Sequence, residues 1–93
     1  MSTVYVPYSG NNPAAIEIKG HRLLILTSVR EDIERDLRLI GGSEVRSVDL
    51  VGNENEALAN LAASIGAGVI LAPPGIDMPA MLKNLERELP WVH

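Results

Sequence analysis

The sequence predicts an α/β domain in which strands and helices alternate around a parallel core sheet. Three observations carry this expectation. Capping-box spacings precede apolar residues at helical intervals, short runs of branched apolar residues lie between those segments, and glycine or proline marks the junctions. The implied order is βαβαβα, and a three-layer arrangement with core strand order 2-1-3 follows if the first apolar strand is central. The N-terminal segment is expected to add one or two edge strands. At 93 residues the chain has room for one domain. Residues 1–93 therefore read as a single unit, with 1–20 as an appendage and 21–93 as the βα core.

Taken in order, residues 3–8 alternate Val4, Val6 and Tyr8 against Tyr5 and Pro7, the pattern of an extended segment that Pro7 confines to a sheet edge. Ser9 to Pro13 has the chemistry of a loop. Ile16 and Ile18 alternate again before Lys19-Gly20-His21, which suits a turn or bulge. Leu23 to Leu26 is an uninterrupted branched apolar run, the mark of a strand covered on both faces. Ser28 and Glu31 have capping-box spacing, and Val29, Ile33, Leu37 and Ile40 then predict a helix ending at Gly41-Gly42. Its outer face pairs Arg30 with Glu34, Glu31 with Arg35 and Glu34 with Arg38.

Val45 to Val51 reads as a half-covered strand, in which Asp49 is expected to point outward. Asn53 and Glu56 repeat the capping spacing before Leu58, Leu61, Ala62 and Ile65. Val69 to Ala72 is the third core strand, stopped by Pro73-Pro74-Gly75. Asp77 then caps a helix that accommodates Pro79 in its first turn and carries Met78, Met81, Leu82, Leu85 and Leu89 on one side, until Pro90 ends it.

Composition narrows the function classes. The absence of Phe and the presence of only two Tyr and one Trp require an aliphatic core. A net charge of −4 removes the electrostatic basis for nonspecific nucleic-acid binding. No apolar run approaches bilayer length and no targeting pattern is read, so no membrane partner is expected and the cytoplasm is the expected compartment. Without cysteine there are neither disulfides nor thiolate metal sites. His21 and His93 lack ligand-spaced companions, so no metal is expected. Neither a dinucleotide-binding glycine pattern nor a lysine-bearing phosphate loop is present, and no cofactor is expected.

In a doubly wound sheet, ligands bind beyond the carboxyl ends of the strands where the winding reverses. That rule places a candidate site at Thr27, Ser28, Pro73, Pro74 and Gly75. Ser28 has two readings there, a helix cap or part of an anion-binding helix start. Asp32, Glu34 and Asp36 lie among arginines and read as a solvated face. Val4 and Val6, Met78 and Met81, and Trp91 are candidate interface residues, because an edge strand, a Met-bearing helix face and a terminal tryptophan all suit partner contacts.

Three segments also resemble a response-regulator receiver domain: Arg22-Leu23-Leu24-Ile25-Leu26 its first strand, Asn55-Glu56-Ala57-Leu58 the start of its second helix, and Val69 to Met78 its third strand and following loop. The resemblance implies a flavodoxin-like fold. The receiver's acidic pair would fall at Thr27 and Ser28 and its phosphoacceptor at Ala72, where this chain has no acid. It therefore implies a module without phosphotransfer chemistry. The functional expectation is a non-catalytic protein-interaction or regulatory module whose partner is a protein, a second copy of the chain included. The alternative is a small-anion or nucleotide binder using the strand-end loops.

Overall fold

Four consecutive residues, Leu24, Ile25, Leu26 and Thr27, have no solvent exposure in the computed structural model, which describes residues 2–92. They belong to β4 (His21–Thr27), the strand on which the two faces of the sheet are built. Leu24 and Leu26 enter one core cluster and Ile25 the other, as alternation along a strand requires. The chain runs β1 (Ser2–Ser9), β2 (Asn12–Pro13), β3 (Ile16–Ile18), β4, α1 (Arg30–Arg35), a 3-10 turn (Leu37–Ile40), β5 (Glu44–Leu50), α2 (Glu54–Ala63), β6 (Gly68–Ala72) and α3 (Met78–Glu88). His93 lies outside the described residues.

The six strands of the described residues form one mixed sheet. Four of its pairings are antiparallel, β1 with β2, β4 and β5, and β3 with β4. Among the described residues only β4 and β6 run parallel, from Leu23 beside Gly68 to Thr27 beside Ala72. Tyr5 pairs with Ser47 of β5 on one side and Thr27 of β4 on the other, so β1 is an interior strand. The order across the sheet is therefore β5-β1-β4-β6, with β2 and β3 filling the ends of β1 and β4.

This arrangement overturns the expected parallel core of order 2-1-3, in which the β4 and β5 segments would be neighbours and the N-terminal strand would sit at an edge. The reason lies in β1 itself. Val4 and Val6 join the cluster on the α2 side, while Tyr5 packs on the opposite one and Pro7 is fully buried. A strand with apolar residues on both faces buries most surface in the sheet interior.

Pro7 is accommodated because its carbonyl accepts from Ala14 N–H at 2.8 Å, which directs its donor-less nitrogen to the same side. On that side β4 has already left β1, since the two strands pair only at Tyr5 and Thr27.

α2 covers one face through Leu58 and Ala62. On the other face Ile33 of α1, Ile40 of the 3-10 turn and Met78 of α3 close the second cluster. The caps of α2 and α3 are local, with Asn53 accepting from Glu56 N–H and Asp77 from Ala80 N–H, both at 3.1 Å.

The first helix departs from expectation. It does not run from Ser28 to Ile40 but has six residues, with Val29 in the capping position and no side-chain capping bond. Asp36 then leaves helical geometry at φ −122° and ψ 27°, and the chain tightens into the 3-10 turn. Of the expected surface pairs, Arg30 with Glu34 forms at 2.6 Å. Arg35 turns instead to Asp32 and Asp36. Asp49 points outward and accepts from the Thr3 hydroxyl at 2.7 Å.

Candidate functional site

Beyond the carboxyl ends of β4 and β6, the residues expected to form a ligand site are held together by bonds among themselves. Thr27 is fully buried, and its hydroxyl donates to the Val29 carbonyl at 2.7 Å. Ser28 is exposed and caps nothing. Pro73, Pro74 and Gly75 are exposed on the loop between β6 and α3. The Gly75 N–H, the group an anion would seek there, donates to Asp32 Oδ2 at 2.9 Å.

Asp32 is only 5% exposed, against its expected place on a solvated face. Arg35 completes a clamp: its Nη2 donates to the Ile76 carbonyl at 2.8 Å and lies 3.7 Å from Asp32 Oδ1, while its Nε donates to Asp36 at 3.1 Å. α1 thereby fastens the β6–α3 loop across 43 residues of sequence. A surface depression of about 390 Å³ opens beside the clamp, lined by Arg35, Asp36, Gly75, Ile76, Asp77 and Pro79 among others.

The carboxylate of Asp32 already takes up the loop N–H that an anion would need. No group of three or more His, Cys, Asp or Glu side chains comes together in metal-binding fashion among the described residues. Nor does any helix there have the length and apolarity to cross a membrane.

Asp32→Ala is expected to lower stability by about 1–3 kcal/mol, because it leaves a part-buried N–H without its partner. Thermal unfolding checks this. For a domain of this size each kcal/mol corresponds to about 4–8 °C in Tm. An unchanged Tm would mean that the clamp adds nothing to the fold.

A second feature had less signal in the sequence. The segment after α3 returns to the turn between β3 and β4, where Lys19 Nζ donates to Leu89 O at 3.1 Å, His21 Nε2 meets Pro90 O at 2.7 Å, and Val92 N–H donates to Lys19 O at 3.0 Å. Three bonds fix the backbone of the tail. The side chains of Trp91 and Val92 nonetheless stay 66% and 53% exposed. The Nε2 of His21 is thus engaged by a backbone carbonyl.

The other expected interface residues sit differently. Val4, Val6 and Met78 are buried in the two clusters, and Met81 packs partly against the second. An edge β1 and an α3 with no sheet beneath it would leave them at a surface, but β1 is interior and α3 covers a sheet face. In the folded chain they hold the core together, and of the five only Trp91 is strongly exposed.

No family model, curated protein or solved structure matches this chain.

Proposed function

We propose that the chain is a non-catalytic protein-interaction module whose contact surface includes the Trp91–Val92 tail. The observation that carries this reading is an exposed tryptophan on a backbone already pinned by Lys19 and His21. Tryptophan is the side chain most enriched among residues that dominate binding energy. A backbone ordered before binding loses less entropy on association.

The occupied state of the strand-end loops supports the same reading over anion binding, since Thr27 and Gly75 already have partners.

The test is affinity capture with the wild-type chain and with Trp91→Ala, the recovered partner then being titrated against both. Loss of the tryptophan is expected to weaken binding by about 30-fold or more, the equivalent of a residue contributing at least 2 kcal/mol. Its exposure means that Tm should move little. Equal affinity of the two proteins for every partner recovered would remove the tail from the interface. A dose-dependent Tm rise with phosphate or nucleotide, abolished by Thr27→Val, would replace the proposal with the anion-binding alternative.

A further inference from the structure

The two edges of the sheet differ in chemistry. β5, at one edge, carries Glu44, Arg46 and Asp49, all exposed, with Arg46 paired to Glu44 at 2.9 Å and lying over the Tyr8 ring. Charges of this kind discourage pairing with another strand.

β6, at the other edge, is Gly68-Val69-Ile70-Leu71-Ala72, and no charged residue occurs from Ala57 to Ile76. Among the described residues β6 pairs with β4 alone, so the backbone groups along its outer side have no strand to meet. It contains neither proline nor lysine, the usual devices that blunt an edge. Leu71 is 48% exposed, and alternation places it on the same face as Val69, which packs on the α2 side.

We infer that β6 pairs antiparallel with β6 of a second copy of this chain, about a two-fold axis at Ile70. The side chains are self-complementary in that register. Small meets small as Gly68 faces the partner's Ala72, Leu71 covers the partner's Val69, and Ile70 meets its own counterpart. An isologous contact requires such a pattern, because each residue must suit the copy of the residue that suits it. The strand's neutrality matters for a chain of net charge −4, since it lets two like-charged molecules meet without a carboxylate at the seam. Leu71 is the exposed apolar side chain that the pairing would cover. The inference rests on the β6 edge and not on the Trp91 tail.

Sedimentation equilibrium of the full chain at tens of micromolar is expected to give a dimer. Leu71→Lys, with its fold verified by circular dichroism, should weaken the dimer by about tenfold or more, because a charge would be buried against an apolar neighbour. Trp91→Ala should leave the dimer mass unchanged.

Ile70→Cys provides a second readout. The chain has no cysteine, and residues directly opposed across an antiparallel pair have Cβ atoms about 4.5–5.5 Å apart, close to disulfide reach. Oxidation should therefore couple Ile70→Cys into a covalent dimer and leave the exposed-site control Val51→Cys uncoupled. A monomer mass for the wild type, a dimer indifferent to Leu71→Lys or dissolved by Trp91→Ala, or no coupling of Ile70→Cys would overturn the inference.

Discussion

A chain lacking residues 1–9 is expected to be unfolded, with the far-ultraviolet dichroism of a disordered polypeptide and no cooperative transition in urea. Among the described residues β1 is the only strand partner of β5, along seven residue pairs from Ser2 with Leu50 to Tyr8 with Glu44. Its removal leaves β5 without a ladder and takes Val4 and Val6 from one core and the buried Pro7 from between the strands. Each such side chain contributes about 1.5–3 kcal/mol by burial. The whole domain is worth only about 0.05–0.15 kcal/mol per residue. The loss therefore approaches or exceeds the total. A truncated protein that still unfolded cooperatively would show β1 to be dispensable, as a strand added at an edge would be.

Gly41→Ala is expected to cost about 2–4 kcal/mol, the sum of a strained backbone and a clash. Gly41 closes the 3-10 turn at φ +89°, a conformation that side-chain-bearing residues rarely adopt. A Cβ there would also lie 2.9 Å from the Ala15 carbonyl oxygen, a backbone atom that can yield only if the segment between β2 and β3 moves. Gly52→Ala is the matched control, since Gly52 has φ +78° but nothing within 4 Å of an added Cβ. It should cost only the backbone part, about 1 kcal/mol. Urea unfolding of both variants separates the two contributions, and equal losses would show that the Ala15 contact is relieved freely.

What could be read from the sequence was the local chemistry. Asn53 with Glu56 and Asp77 with Ala80 are bonds between residues three apart, so the starts of α2 and α3 follow from short-range stereochemistry. The Leu23 to Leu26 run likewise marks a strand covered on both faces, because an unbroken apolar run leaves neither face suited to water.

Tertiary structure decided the rest, because the deciding partners are far apart along the chain. β1 became interior through pairing with β5, some forty residues away, and the sheet turned mixed as a result. One signal for this was present: Val4 to Tyr8 has no polar residue on either face apart from the tyrosine hydroxyls, yet Pro7 and the alternation pointed to an edge.

The first helix shows the same contest. Ser28 and Glu31 have capping spacing, but Thr27 bonds Val29 instead, and Asp32 and Arg35 are drawn to the β6–α3 loop. The tail's attachment to Lys19 and His21 joins residues about seventy apart, and no periodicity encodes it. Residue types and their spacing therefore determined the starts of α2 and α3 and the doubly covered run of β4. Which strand lies between which others, and which polar groups remain available to a partner, followed only once burial of both sheet faces brought distant segments together.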